Sequence, residues 1–291
     1  MWDKFKKLSF RFFGKALEPY LHYFESIKPD LQHANIPLSL REYVYTMFFI
    51  LLMIFLIELP LIVIISVLLI KSALAAFVFS ITAVILIEVG VFFLFYTYPS
   101  YTAKQRRRSI ESSLSFATTY MATIASSGAP PSTMFKVLGK FKEYGEISKE
   151  AEKINRDVEA FGMDLVSAIR KTASRTPSTE LKELLWGLDT VLTTGGNVGD
   201  YLHEKSRSFM AEYRRRLERY SQTLSLLIEV YLTVILVGSI FFVIMSALMS
   251  IFGGGETNIF MSFMQFVIIF IVLPLVSTGF IVLIRAISPS A

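Results

Sequence analysis

The chain contains no cysteine and only three histidines among its 291 residues. Disulfides, thiolate metal sites and a cysteine nucleophile are therefore excluded. The histidines, His22, His33 and His203, are scattered without the spacing of a metal site, so we expect no metal and no cofactor. Charge is also scarce, since charged residues make up 18% of the chain against about 25% in soluble domains. With 53% hydrophobic residues and 26 phenylalanines, the composition is typical of a membrane protein.

The charges that are present are unevenly distributed. Residues 99–223 hold 20 Lys/Arg and 15 Asp/Glu, which is 35 of the 53 charges. Four other stretches are almost free of charge, and each is long enough to cross a bilayer, which takes roughly 20 apolar residues. They cover residues 44–70, 74–98, 225–252 and 259–284. The sequence therefore predicts four transmembrane helices arranged as two hairpins, with Pro60 and Pro274 at the points where two of them could kink.

Basic residues at the membrane edges predict the orientation of these helices. Three arginines follow the second stretch and four precede the third, whereas Lys71 is the only basic residue in the first hairpin turn. The arginines are Arg106, Arg107, Arg108, Arg214, Arg215, Arg216 and Arg219. Because positive charge is retained on the cytoplasmic side, we expect the middle domain and both termini to be cytoplasmic. Topology and contacts with lipid head groups explain these arginines better than nucleic acid does.

The resulting organisation has four parts: an N-terminal segment (1–42), a first hairpin (43–98), a cytoplasmic domain (99–223) and a second hairpin with a short tail (224–291). Within the N-terminal segment, residues 2–20 mix aromatic and basic side chains. This pattern is typical of an amphipathic helix on the inner leaflet, although packing on the cytoplasmic domain is the alternative.

The cytoplasmic domain is predicted to be an antiparallel bundle of about six short helices. Apolar residues recur there at three- and four-residue intervals, and short turns separate the helical segments. The turn residues are Gly128, Pro131, Gly162, Pro177, Gly195, Gly196 and Gly199. Residues 193–200 are glycine-rich, but no lysine or preceding strand accompanies them, so a helix cap is favoured over a phosphate loop. The fold class is therefore all-α, with four membrane helices around a helical cytoplasmic domain.

Three carboxylates, Glu58, Glu88 and Glu229, lie within or near the apolar stretches. A carboxylate in hydrocarbon is costly and usually faces protein or water. These residues could form a proton or substrate path. Alternatively, they make internal polar contacts or pair with a residue of a partner. No set of residues in the chain has the pattern of a catalytic site, so we expect no enzyme activity.

Two runs resemble a known family. Residues 116–138 resemble the opening of the F domain of type II secretion and type IV pilus platform proteins, and residues 155–206 resemble its second part. The matching positions of the second part are Gly162, Leu165, Ala168, Pro177, Leu181, Leu185, Gly195, Gly196, Gly199 and Leu202. Within that family the chain is most similar to Tad-type and archaeal pilus or archaellum platform proteins. It differs from larger relatives in having one F domain instead of two.

The resemblance implies a platform in the cytoplasmic membrane. On such a platform a cytoplasmic assembly ATPase acts, and pilin-like subunits are lifted from the membrane into a filament. Having one F domain implies pairing with a second copy or with a sister subunit. The alternative hypothesis is a small transporter or channel that uses Glu58 and Glu88.

Overall fold

The computed structural model describes residues 14, 17–70, 72–252, 263 and 266–287, and every regular element among them is helical. The predicted all-α fold is confirmed for this part of the chain. Residues group into two units, Met1–Ser206 and Arg207–Ala291. Most of the amphipathic segment 2–20 and the predicted turn 253–258 lie outside the described residues.

The described α-helices, numbered in chain order, are α1 (Ile27–His33), α2 (Leu40–Leu69), α3 (Ala73–Ser126), α4 (Pro131–Leu138), α5 (Glu146–Glu159), α6 (Leu165–Ala173), α7 (Thr179–Thr194), α8 (Val198–Phe252) and α9 (Leu273–Ile287). Short 3-10 helices cover Glu18–Phe24 and Lys142–Tyr144, and a π-helical turn at Ile268–Val272 leads into α9.

Three of the described helices are long and apolar enough to cross a membrane: Leu40–Leu69, Ala73–Ser126 and Val198–Leu248. Between 0% and 11% of their most apolar windows is buried inside the protein, so their side chains are available to lipid. The predicted fourth span, 259–284, falls partly outside the described residues. Its described part contains an apolar helix over Phe270–Arg285, which is shorter than a spanning helix. The arrangement of four spans in two hairpins therefore stays a prediction.

Helices α2 and α3 form an antiparallel hairpin. Near its open end the Tyr43 hydroxyl donates to the Phe95 carbonyl at 2.7 Å, and near the turn the hydroxyls of Ser66 and Ser80 are 2.5 Å apart. Early residues of α2 thus meet late residues of α3. One hydroxyl donates to the other, and the accepting serine donates its own proton to a carbonyl of its own helix, so these polar groups are satisfied within an apolar surrounding.

Helix α3 continues for 54 residues through Pro99, whereas the sequence predicts a span that ends at residue 98 and a separate cytoplasmic helix. Proline has no amide hydrogen, so the carbonyl four residues earlier loses its helical partner. That carbonyl belongs to Phe95, and the Tyr43 hydroxyl supplies the missing donor. We attribute the continuity of α3 partly to this contact, because it removes the cost of an unpaired carbonyl.

The helical domain, residues 99–206, surrounds one apolar core. Each of its helices contributes side chains at helical spacing that are almost completely buried. The core residues are Ile110, Leu114, Ala117, Met121, Met134, Phe135, Leu138, Ile147, Ala151, Ile154, Ala168, Ile169, Ala173, Leu181, Leu184, Leu185, Leu188 and Leu202. The leucine spacing of α7 predicts a stripe of Leu181, Leu184, Leu185, Leu188 and Leu192, of which the first four are buried and Leu192 is half-buried.

One boundary in this domain differs from the prediction. The sequence predicts a single charged helix over 142–162, but α5 begins at Glu146 after a short 3-10 turn. Gly145 separates the two elements with φ 58° and ψ −120°, a backbone conformation that residues with a Cβ rarely adopt. The glycine ends the first turn and lets α5 start in a new direction.

The N-terminal segment packs against the base of the hairpin and the helical domain. Ile27, Leu31 and Tyr43 form a small buried cluster, which Phe24 and Ile36 extend. Asn35, two residues after the end of α1, has a left-handed conformation with φ 56°. The segment therefore places the backbone of His33 and the side chain of Asn35 beside α3 and α5, where both are used in polar contacts.

Candidate functional site

Glu58 and Glu88 lie opposite each other in the α2–α3 hairpin. The register defined by Ser66 and Ser80 places them at the same level, eight residues further from the turn on both helices. Both carboxylate oxygens of Glu58 and one of Glu88 are buried, and they have no hydrogen-bond partner among the described residues. The structure thus brings these two predicted residues together and leaves them without a basic neighbour. Glu229 lies exposed on α8, in the second unit.

Arg106 is the centre of a buried polar network between α1, α3 and α5. Its Nε donates to Glu146 Oε2 at 2.7 Å, one terminal nitrogen donates to Glu150, and the other donates to the His33 carbonyl. The exposed fractions of these side chains are 10% for Arg106, 16% for Glu146 and 7% for Glu150. A guanidinium that spans two carboxylates and a carbonyl fixes three elements at once, because its donors point in fixed directions.

This burial corrects the expectation for Arg106. The sequence places it at the membrane edge together with Arg107 and Arg108, whereas its side chain turns into the protein. Arg106 lies on the same face of α3 as Ile110 and Leu114, which belong to the core. A guanidinium on that face must be paired, and Glu146 and Glu150 provide the charges.

The other predicted membrane-edge arginines are exposed on α3 and α8. Arg107 pairs with Glu111 within α3 at 2.7 Å, and Arg108 has no ion pair among the described residues. On α8, Arg215, Arg216 and Arg219 share the carboxylate of Glu212 at 2.8–3.5 Å. Arg214 is exposed beside them. Their contact with lipid stays a prediction.

The predicted turn residues lie between the helices of the helical domain. Gly128, Gly162 and Gly195 have φ of 75°, 64° and 73°, the left-handed region in which glycine replaces other residues without strain. Pro131 is the first residue of α4, and Pro177 precedes Ser178, the N-cap of α7. Gly196 follows the α7 cap and packs near Val191. The amide of Gly199 donates to the Asn197 side chain at the start of α8.

Sequence reasoning did not identify Glu146 and Glu150 as the partners of Arg106. The signal was present in α5, where Glu150 shares a face with Ile147, Ala151 and Ile154, all of which are buried. A carboxylate on an apolar helix face requires a buried cation or donor. Arg106, at the matching position of the α3 stripe, satisfies that requirement.

The acidic part of this network should make stability depend on pH. Burial by itself would raise the pKa of Glu146, but hydrogen bonds from Lys149 and Arg106 outweigh it and lower the pKa below the ordinary value of 4.5. A carboxylate with a lowered folded-state pKa stabilises the fold above its unfolded pKa and loses that contribution as pH falls through the folded value. We therefore expect the melting temperature to decrease as the pH is lowered below about 4.5. This decrease should be steeper for the wild type than for Glu146→Gln.

Thermal melts of the detergent-solubilised full chain between neutral and acidic pH measure this difference. Glu143→Gln is the matched control, because Glu143 is exposed just before α5 and outside the network. Identical pH profiles for the wild type and Glu146→Gln would contradict the prediction.

Among the described residues, no group of three or more histidines, aspartates or glutamates could hold a metal ion. Gly195, Gly196 and Gly199 follow a helix and cap it, with no strand before them. The described residues thus form two notable polar sites. One is the pair of carboxylates Glu58 and Glu88 in the hairpin, and the other is the buried network of Arg106 with Glu146 and Glu150.

Comparison with known proteins shows which family the helical domain is similar to. Residues 117–246 match the family model described as "Type II secretion system (T2SS), protein F". This stretch is similar to an F domain. The sequence-based resemblance to F-domain platform proteins is thereby confirmed. The matched stretch begins in the second half of α3, contains α4–α7 and extends into the apolar part of α8.

Two relatives of the F domain come from Methanocaldococcus jannaschii. One is an uncharacterised protein, 27% identical over 134 residues, which cover 46% of this chain and 22% of that protein. The other is flagella accessory protein J, 26% identical over 137 residues, which cover 47% of this chain and 24% of the relative. The match thus spans less than a quarter of either relative. No solved structure matches the chain.

Proposed function

We propose that this protein is a non-enzymatic platform subunit of a type II secretion-like or type IV pilus-like assembly machine in the cytoplasmic membrane. The observation that carries the proposal is the F domain at residues 117–246, which continues into helices apolar enough to cross a membrane. The archaeal relative named flagella accessory protein J supports a role in filament assembly.

In this proposal the chain works mechanically. A cytoplasmic assembly ATPase binds the helical domain and displaces it, and the membrane helices pass that motion to pilin-like subunits, which leave the bilayer for a filament. Helix α3 suits this task, because within the first unit it runs without interruption from its apolar segment into the helical domain. We place both termini and the helical domain on the cytoplasmic side, where we expect the exposed arginines of α3 and α8 to lie near the inner leaflet.

We further propose that the chain acts as an oligomer, with a second copy or a sister platform subunit. One F domain would then be supplied by each chain. The expected partners are membrane lipid, the ATPase, pilin-like subunits and this second subunit, with no role for nucleic acid.

The test is co-purification of the full chain with the secretion-type ATPase of its own cell. Exposed aromatic side chains of the F domain are suitable docking anchors, since aromatic residues dominate many interfaces. Phe161 is 70% exposed, so Phe161→Ser should weaken retention of the ATPase while the melting temperature stays unchanged. Tyr23→Ser is the matched control, because Tyr23 is 68% exposed outside the F domain.

Deletion of the gene should abolish the filament or the secreted product, and the wild-type chain should restore it. Normal filaments and secretion in the deletion strain would overturn the proposal. So would an intact chain that retains no ATPase under conditions in which the ATPase is folded and active.

A second candidate, a transporter or channel, is favoured by one observation. Glu58 and Glu88 face each other with buried and unpartnered oxygens, as groups in an ion path often do. This candidate predicts a pH-dependent ion flux in liposomes that disappears in Glu58→Gln and Glu88→Gln. The platform proposal predicts no flux in any of the three proteins.

A further inference from the structure

Two polar helix faces line a groove between α3 and α5. On α3 the lining residues are Thr102, Gln105, Arg106 and Ser109, and on α5 they are Glu146, Lys149 and Lys153. Both sets follow the three- and four-residue spacing of one helix face. Ala34 and Asn35 close one end, and the groove has a volume of about 440 Å³. The apolar stripes of α3 and α5 form the packed core of the domain, so an open polar groove between these two helices is a different kind of surface.

The groove has more hydrogen-bond donors than the protein uses. The side chains of Gln105 and Ser109 have no partner among the described residues. The Lys149 ammonium donates to Glu146 only, at 2.6 Å, and Lys153 donates to Glu150 and Asn35, both at 3.0 Å. Since an ammonium has three donors, Lys149 retains two and Lys153 retains one. A ligand that fits this site therefore accepts hydrogen bonds.

The charged side chains that line the groove also favour a ligand that accepts hydrogen bonds. A smaller cavity of about 130 Å³ adjoins the groove and shares Asn35, Arg106 and Lys153 with it. Together the two cavities are lined by six cationic side chains and three carboxylates. The cations are Arg106, Lys149, Lys153, Arg156, Lys171 and Arg175, and the carboxylates are Glu146, Glu150 and Asp157. The excess of three positive charges favours an anion with several acceptor oxygens.

The position of the groove along α3 indicates where such an anion comes from. Tyr96, Tyr98 and Tyr101 lie exposed on α3 at the end of its apolar part, which is typical of a membrane–water interface. Thr102 follows directly. One helical turn separates Thr102 from Tyr98, so the groove begins about 6 Å beyond the apolar part. The head-group layer of a bilayer is about 5–7 Å thick on each side, so the Thr102 end of the groove lies at head-group depth when α3 crosses the membrane. By the same rise, Gln105 lies about 10 Å and Ser109 about 16 Å beyond Tyr98, so of these two α3 donors only Gln105 lies near that layer.

We propose that this groove binds the phosphate group of an anionic phospholipid head group, through Gln105, Lys149 and Lys153. The inference rests on α3 crossing the membrane, as in the proposed function, but it requires neither the ATPase nor a filament. A soluble phosphate ester has the same chemistry and is the alternative source. A lipid bound here would contact α3, α5 and the end of the N-terminal segment, and would tie the helical domain to the membrane surface.

The test is a native mass spectrometry titration of the full chain in an uncharged detergent. Phosphatidylglycerol supplies an anionic head group, phosphatidylcholine a zwitterionic one, and glycerol 3-phosphate the soluble ester. The wild type should bind phosphatidylglycerol more tightly than phosphatidylcholine. Lys149→Gln with Lys153→Gln should weaken the tight binding by about fivefold for each lysine, since a basic side chain near an anionic lipid contributes about 1 kcal/mol.

Two further variants separate binding from folding and from total charge. Gln105→Glu places a negative charge in the groove without breaking an ion pair, and it should also weaken binding of phosphatidylglycerol. Lys140→Gln with Lys142→Gln removes the same charge as the lysine pair, at exposed positions outside the groove, and should leave binding unchanged. A thermal melt of each variant checks the fold.

Equal affinity of the wild type, the lysine variant and Gln105→Glu for phosphatidylglycerol and for glycerol 3-phosphate would overturn the proposal. Groove-dependent binding of glycerol 3-phosphate without groove-dependent binding of phosphatidylglycerol would overturn the lipid source and support the soluble one. Both results are independent of ATPase co-purification, so failure of this inference and failure of the proposed function are distinguishable.

Discussion

Arg106→Ala should lower the free energy of unfolding by about 3 kcal/mol, the lower end of the range for breaking a buried ion pair. The substitution leaves Glu146 and Glu150 in a largely buried site without their guanidinium, and it removes the donor to the His33 carbonyl. Lys149 and Lys153 still contact the two carboxylates, which is why we expect the lower end.

Urea unfolding of the detergent-solubilised full chain measures this loss. The chain has two tryptophans, so a Trp2→Phe background leaves Trp186 of α7 as the fluorescent probe of the helical domain. Arg108→Ala is the control, because Arg108 is exposed two residues away and should cost less than about 0.5 kcal/mol.

A double variant distinguishes the loss of charge pairing from the loss of packing in this experiment. In an Arg106→Met background, adding Glu150→Gln should recover part of the loss, because the unpaired carboxylate is then removed. The prediction is wrong if Arg106→Ala costs no more than Arg108→Ala, or if Glu150→Gln makes the Arg106→Met protein less stable still.

Gly187→Ala should cost about 1–3 kcal/mol of stability through overpacking, although alanine is normally better than glycine in a helix by about 1 kcal/mol. Gly187 lies inside α7, where a Cβ would be 1.9 Å from the hydroxyl oxygen of Tyr201 and 2.5 Å from its Cζ. The Tyr201 ring occupies the space that a side chain at position 187 needs. Its hydroxyl donates to the Leu184 carbonyl at 3.1 Å, and that bond is lost if the ring moves.

Thermal melting of the same detergent-solubilised chain measures the effect. Gly90→Ala is the matched control, since Gly90 also lies within a helix but has no atom within 4 Å of the Cβ position. Combining Gly187→Ala with Tyr201→Leu should show a favourable coupling, because the smaller side chain vacates the occupied space. Strictly additive effects, or a Gly187→Ala protein as stable as the wild type, would refute this explanation.

Those helices that are marked by a pattern within their own residues, such as an apolar run or a regular leucine spacing, could be predicted from the sequence. Apolar runs near residues 44–70 and 74–98 predict the hairpin of α2 and α3, and the leucine spacing of α7 predicts its buried face. The continuation of α3 through Pro99 could not be predicted in this way, because it involves Tyr43, which lies 52 residues before Phe95.

The candidate site was less predictable than the fold. Glu58, Glu88 and the arginine clusters stand out in the sequence because charge is rare in apolar surroundings or concentrated at their edges. Their partners do not stand out. Whether Arg106 faces lipid or Glu146 and Glu150 depends on how α3 packs against α5, 40 residues away.

The sequence by itself determined that this protein is helical, that its charges and its apolar residues are segregated, and that its middle resembles an F domain. The first two follow from composition and from spacing within one helix, and the third is a family resemblance of two runs, residues 116–138 and 155–206. Only the tertiary structure decided that Glu58 meets Glu88, that Arg106 is buried, that Tyr201 excludes a side chain at position 187, and that two polar faces border an open groove. The physical reason is that pairing and steric exclusion act between side chains that are close in space but distant in the chain.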